Sequence, residues 1–204
     1  MLYLAFDTET TGLAIEPSSK NYYDTANWPR VYQLSAILFD DMGFEHYRMD
    51  RYIKPDKWKI PVLSDFLRDL GQVSFHEQQG ITDELLFEKG ISMQEALAEF
   101  NKLAEKADAK LCHNYLFDVP VLTCEMFRYK HFPISWLQKP QFCTKELMTP
   151  ICKIPSHRGD SEYKWPSLQE AYVHLFGKEF SGAHNSMSDV EATMEVFLEI
   201  KDRI

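Results

Sequence analysis

Leu2-Tyr3-Leu4-Ala5-Phe6-Asp7-Thr8-Glu9-Thr10-Thr11-Gly12-Leu13 opens this chain of 204 residues. Leu2 to Asp7 reads as a buried strand, a short apolar run that stops at a turn signal. Residues two apart in a strand project to the same face. Asp7 and Glu9 therefore leave the strand end together, and two carboxylates on one face repel unless a cation sits between them. A divalent metal bound through hard oxygen ligands is the natural occupant. On its own an Asp-x-Glu pair says little, because acidic residues are common where a strand runs into a turn.

Working outward, Val31 to Asp40 is strand-like, Asp40-Asp41-Met42-Gly43 is a turn, and Phe44 to Ile53 alternates as the return strand of a hairpin that Pro55 ends. Ser64 to Leu70 and Thr82 to Phe87 look like short helices. Ser92 to Ala107 is the clearest helix: Ser92 and Glu95 make a capping box, and Ala96, Leu97, Phe100, Leu103 and Ala104 share one face. Lys110 to His113 is a short strand, followed by a helix to about Tyr129, and Phe142 to Lys145 is a further short strand. Pro166 begins a helix that Gly177 closes. The last helix starts near Asp189. Ile15 to Arg30 and Ile151 to Trp165 read as surface loops. This order predicts an α/β fold with a mixed central sheet flanked by helices, in one domain spanning 1–204.

Two more stretches carry chemistry. In His113-Asn114-Tyr115-Leu116-Phe117-Asp118, Asp118 follows a short strand and falls near a helix start, with Pro120 compatible with a first turn. A helix-start charge alone is worth only about 1 kcal/mol or less. In His184-Asn185-Ser186-Met187-Ser188-Asp189, Ser188 and Glu191 read as a capping box that puts Asp189 in the first turn. His184 is then left on the preceding loop, where a histidine can approach and withdraw from a cluster of carboxylates, as a general base must.

Together the three stretches supply four carboxylates and one histidine, and this set resembles the DEDDh 3′→5′ exonuclease family. That DnaQ-like group holds the proofreading subunits of bacterial replicative polymerases, ribonuclease T and oligoribonuclease. It is named for Asp, Glu, Asp, Asp and a His five residues before the last Asp, here Asp7, Glu9, Asp118, Asp189 and His184. The resemblance covers nearly the whole chain and implies a ribonuclease H-like sheet. It implies two divalent cations, Mg²⁺ or Mn²⁺. Asp7, Glu9 and Asp189 would hold one, with Asp7 bridging to a second on which Asp118 acts, and His184 would take the proton from the attacking water. A free imidazole titrates near ~6.5, which suits a base close to neutral pH.

The same resemblance places substrate contacts at Thr8, Thr10, Leu13, Gln79, Asn114 and Phe117. Leu13 is the wedge beside the terminal base, and Phe117 lies where it can stack on a base, a sequence-tolerant contact. Many relatives carry His-Gly-Ile-Thr near the base pocket, where this chain has Gln79-Gly80-Ile81-Thr82. His113 is expected to orient the strand end or pack. The implied activity is 3′→5′ exonuclease cleavage of single-stranded DNA 3′ ends, releasing 5′-mononucleotides. DNA is preferred because Asp-Thr-Glu-Thr-Thr-Gly resembles the proofreading branch. An exoribonuclease is the alternative enzyme, and a non-catalytic polymerase-associated binding subunit is the alternative of another class.

Composition sets limits on the partner. With 22 Lys and Arg against 31 Asp and Glu, the net charge is −9. Tight binding along a tract needs many phosphate contacts, so a short, end-directed footprint is expected. The cations are uneven: Arg128, Lys130, Lys139, Lys145, Lys153, Arg158 and Lys164 face only Glu146, Asp160 and Glu162 in their stretch. No apolar run is long enough to span a bilayer and no basic leader precedes the first strand, so no membrane partner and a cytoplasmic location are expected. Cys112, Cys124, Cys143 and Cys152 form no Cys-x-x-Cys and read as buried free thiols. The chain stops soon after the last helix, which favours a stand-alone enzyme or a homodimer and leaves a polymerase partner open. Tyr22, Tyr23 and Trp28 read as exposed aromatics that serve substrate or partner or simply pack the loop. Gln33 to Phe39 superficially resembles a sliding-clamp peptide but falls in a buried strand, and Lys110-Leu111-Cys112-His113 lacks zinc spacing.

Overall fold

The computed structural model describes residues 1–16, 24–131, 136, 138–157 and 161–203. Among them, one mixed sheet has the strand order β3-β2-β1-β4-β5. β1 (Leu2–Thr10), β2 (Val31–Asp40) and β3 (Glu45–Tyr52) pair antiparallel. β4 (Ala109–Cys112) pairs parallel to β1, and β5 (Gln141–Cys143) parallel to β4. The β2–β3 hairpin closes where the Asp40 carboxylate accepts the Met42 and Phe44 N–H groups at 2.9 and 3.1 Å.

β1 runs three residues beyond the predicted end. Thr8 and Glu9 pair with Leu34 and Gln33, and the register shifts between Glu9 and Thr10. The two acidic residues thus stand on a paired strand, not in a loop.

Period-2 alternation divides the core. Leu4 and Phe6 of β1 join Leu34, Ala36 and Met49 in a core with α4 (Met93–Lys106) and α5 (Tyr115–Arg128). Phe6, Phe100 and Trp136 meet edge to face at 5.2 to 5.7 Å. Burying each large apolar side chain stabilises the fold by roughly 1.5–3 kcal/mol. Tyr3, Ala5, Ile37 and Phe39 pack in a second core with Val190 and Phe197 of α8 (Ser186–Ile200). Alternation therefore sends Asp7 and Glu9 toward α8 and Thr8 toward α5.

Three short helices, α1 (Asp65–Asp69), α2 (Phe75–Gln78) and α3 (Asp83–Lys89), follow the hairpin. The α4 capping box between Ser92 and Glu95 forms as expected. α5 starts at Tyr115, so Pro120 lies in the second turn and not the first, and the Leu116 carbonyl loses its helical donor. A helix that the sequence did not announce, α6 (Thr144–Cys152), follows β5. α7 (Leu168–Phe176) begins two residues after Pro166, is capped by Ser167 and Glu170, and ends at Gly177 with φ +67°.

α8 corrects another expectation. Its cap is Asn185, whose side chain accepts the Ser188 N–H at 3.3 Å, so the helix begins at Ser186. The expected Ser188–Glu191 box gives way to an ion pair between Glu191 and Arg48. Trp28, expected to be exposed, is only 4% exposed and lies edge-on to Phe117 at 6.1 Å. Tyr22, Tyr23 and Arg158 fall outside the described residues. β2 is buried along nearly its whole length, which removes Gln33 to Phe39 as a docking peptide. Cys112, Cys124 and Cys143 are buried, Cys152 is half-buried, and all four are free thiols. Among the described residues no helix is long and apolar enough to cross a membrane.

Candidate active site

The carboxyl end of β1 and the amino end of α8 are tied directly: Ser186 Oγ donates to the Asp7 carbonyl at 2.8 Å. Asp189, one turn into α8, is thereby brought over the strand face that carries Asp7 and Glu9. One carboxylate oxygen from each of Asp7, Glu9 and Asp189 lies within 4.8 Å of the others. Asp118 arrives from α5 on the opposite side of the strand. Its Oδ1 accepts both the Thr8 N–H at 3.1 Å and the Thr8 hydroxyl at 2.7 Å, so Thr8 positions this carboxylate. α5 is launched from Asn114 in the left-handed region, φ 89°.

Crowding shows in the proton affinities. Burial, and then the charges of Asp118, Asp189 and Glu9, hold the Asp7 carboxyl well above the usual carboxylate range. Burial and the neighbouring Asp189 and Asp118 push Glu9 up to about 8, despite a 3.4 Å hydrogen bond from Tyr32 Oη. Burial raises Asp118 to about 7 against the opposing Thr8 bonds, and raises Asp189 to about 6 against a 3.2 Å bond from the His184 N–H. Four half-buried or buried carboxylates cannot all carry charge at neutral pH without a compensating cation. All-oxygen donors at this spacing fit a hard divalent ion.

His184 sits on a tight turn. The Asn185 N–H donates to the Gly182 carbonyl at 3.0 Å, and His184 itself has φ +69°. Gly182 has φ +82°, and a Cβ there would meet Ser188 Oγ at 2.5 Å, so only glycine closes the turn without strain. The imidazole is exposed and lies edge-on to Phe75 of α2, with ring centroids 5.2 Å apart.

A cleft of about 550 Å³ opens over the carboxylates, walled by Leu13, Asn114, Phe117, Lys145 and the segment Pro166 to Gln169. Leu13 is 79% exposed. Thr8 contributes to the wall; Thr10 and Gln79 do not. Gln79 caps the C-terminus of α2. An imidazole does reach the strand end from the same helix: His76 Nε2 is 3.2 Å from the Thr10 carbonyl oxygen, and its ring packs edge-on to Tyr32. His113 joins β4 to α6 and α7, with its ring nitrogens 2.9 Å from Thr144 Oγ1 and 3.2 Å from the Pro166 carbonyl. Burial lowers it to about 4, so it stays neutral above that pH. Sequence reasoning did not find Phe75, His76, Tyr32 or Lys145. Each reaches the site through a contact between distant parts of the chain, and only Lys145, in the basic run, left any trace.

Residues 4–197 match the model of the RNase T family, whose description is exonuclease. The chain belongs to this exonuclease family. The DEDDh, DnaQ-like assignment drawn from the three motifs is the one the comparisons find, and the protein is a nuclease. The exonuclease is 26% identical over 195 residues to the DNA polymerase III subunit epsilon of Treponema pallidum (strain Nichols), covering 96% of this chain and 74% of that one. Its fold is similar to E. coli exonuclease I in complex with a dT13 oligonucleotide, with a TM-score of 0.71 at 21% identity, over 99% of this chain and 41% of that one. Exonuclease I from Methylocaldum szegediense gives 0.63 at 18% identity, over 99% and 40%. The chain thus spans about two fifths of the length of these solved structures. The family is divalent-metal dependent, and the acidic cluster has the donors for it.

Proposed function

We propose that this exonuclease removes 5′-mononucleotides from the 3′ ends of single-stranded DNA. The observation that carries the proposal is the convergence of Asp7, Glu9 and Asp189 on one point, with Asp118 across the strand and His184 on the adjoining turn. Asp7, Glu9 and Asp189 would hold one divalent cation, and Asp118 with Asp7 a second. Bound there, such ions lower the pKa of a water nucleophile and stabilise the charge that develops on the leaving oxygen.

The chain's own residues do the rest. His184 accepts the proton of the attacking water; it lines the cleft, on a turn closed at Gly182, with its ring against Phe75. Thr8 holds Asp118 by two hydrogen bonds, which restrains that carboxylate beside the cluster. Leu13, exposed on the cleft rim, and Phe117, on its wall, offer apolar surface to the terminal base. A wedge beside the acidic cluster suits a strand end and obstructs a continuing strand, which supports exonucleolytic action.

The net charge of −9 supports a short footprint, because few phosphates can be contacted. DNA is supported by the first motif and by the likeness to E. coli exonuclease I, whose solved structure is a complex with a dT13 oligonucleotide. The test is digestion of end-labelled DNA and RNA single strands of equal sequence, in Mg²⁺ and in EDTA. DNA is expected to be degraded at least about tenfold faster, a difference of about 1.4 kcal/mol, and EDTA to stop both reactions. Faster RNA digestion would move the enzyme to the exoribonuclease reading, and undiminished cleavage in EDTA would remove the metal from the mechanism.

A further inference from the structure

A second cavity, of about 710 Å³, adjoins the cleft without touching any of the four carboxylates. Lys145, His157, Tyr163, Lys164 and Trp165 stand on its walls. Two features make it continuous with the cleft. Lys145 belongs to both walls, and Lys164-Trp165 runs straight into Pro166–Gln169, which wall the cleft. A small recess shared by Asn114, Lys145 and Trp165 lies between them.

The described residues of the wall are joined by backbone pairing. Pro155 and Tyr163 form a β-bridge, with the Ser156 N–H donating to the Glu162 carbonyl at 3.1 Å and the Lys164 N–H to the Ile154 carbonyl at 2.9 Å. Trp165 is 51% exposed, whereas Trp28 and Trp136 are buried. Lys145 Nζ lies 4.5 Å from the centroid of the Trp165 ring and donates to Asn114 Oδ1 at 3.0 Å, which holds a cation between the ring and the cleft. Lys164 pairs with Glu170 at 2.6 Å, whereas Lys145, at the seam of groove and cleft, makes no ion pair among the described residues. In a chain of net charge −9, no acidic side chain of the described residues lines this cavity.

We propose that this groove is the track for the nucleotides on the 5′ side of the scissile bond, with Trp165 stacking on a base and Lys145 meeting the phosphate that passes from groove to cleft. The occupant is single-stranded nucleic acid because the groove empties into the carboxylate cleft, so a strand ending there must leave along one of its walls. Aromatic faces alternating with cations are what a sequence-tolerant single-strand track uses. This role holds only if the nuclease action proposed above does.

The test uses the full chain with Trp165→Ala and Trp165→Phe, and separates binding from turnover. In EDTA, an oligodeoxythymidylate of about eight nucleotides should quench the tryptophan emission of the wild type, and Trp165→Phe should lose most of that quench. In Mg²⁺, Trp165→Ala should shrink the preference for the eight-nucleotide strand over a dinucleotide, in kcat/KM, by roughly 5- to 150-fold, the range one base–aromatic stack supplies. Trp165→Phe should keep most of the preference. A quench unchanged in Trp165→Phe, or an equal loss on both substrate lengths in Trp165→Ala, would overturn the proposal. A wild type that cleaves neither substrate would defeat the nuclease mechanism, while the quench in EDTA would still decide whether the groove holds the strand.

Discussion

Asp7→Asn is expected to lower the rate of cleavage by about a thousandfold or more and, without metal, to make the protein more stable. Asp7 is the residue common to both expected cation sites, and its carboxylate faces Glu9 and Asp189 within 4.8 Å. Losing the charge stabilisation that a bound divalent ion supplies costs several kcal/mol, and each 1.36 kcal/mol is tenfold in rate. The stability effect has a definite sign. Burial and like charges raise the Asp7 carboxyl in the folded state, and Glu9 stands at about 8. A carboxyl raised on folding stabilises the native state below its unfolded value near ~4, and that contribution is lost as pH climbs through the folded value. The metal-free wild type should therefore lose melting temperature between about pH 4 and pH 8. Asparagine cannot acquire the charge, so the variant should melt above the wild type at pH 8 in EDTA and converge with it near pH 4. Added Mg²⁺ at about 100 times its Kd should raise the wild type by about 2.7 kcal/mol and the variant by much less. Equal melting at pH 8 with and without metal would mean that the four carboxylates do not form a cation site.

His184→Ala is expected to lower kcat by roughly 10²- to 10⁴-fold, the usual effect of deleting a general base. Stabilisation by metal should be nearly intact, because His184 is tied to the cluster by its backbone N–H to Asp189, which alanine keeps. The ascending limb of the wild-type pH–rate profile should vanish in the variant. Ionisation of the water nucleophile gives a limb of similar shape, so the comparison between wild type and variant decides the assignment. A variant with near-normal kcat and an unchanged limb would put the base elsewhere.

How much of this site was legible in the sequence differs by element. β1, the β2–β3 hairpin and α4 were legible because each carries its own local signal: an apolar run, a turn with Gly43, a capping box at Ser92. Asp7, Glu9, Asp118, Asp189 and His184 were legible through the spacing of three motifs, and the fold brings all five to one cleft. α6 was not legible. Its N-terminal cap Cys143 makes no side-chain hydrogen bond and Pro150 lies inside it, so the usual start and interior signals are missing. The start of α8 was misplaced because Ser188 and Glu191 have the spacing of a capping box, while Asn185 wins the amide and Arg48 takes the glutamate. Trp28 looked like a loop aromatic because nothing local shows that Phe117 and the core cover it. His76 was not legible because it reaches the Thr10 carbonyl across a separation in sequence that no motif encodes.

A cleft that takes a strand end with its 3′ terminus over the carboxylates fixes the order in which products appear. Digestion of a single-stranded DNA labelled at its 5′ end, in Mg²⁺, sampled from the first few per cent of reaction, measures that order. The expected result is a ladder of labelled products that shortens one nucleotide at a time, with labelled mononucleotide appearing last and a circular single strand left intact. Labelled mononucleotide appearing first, or cleavage of the circle, would contradict it.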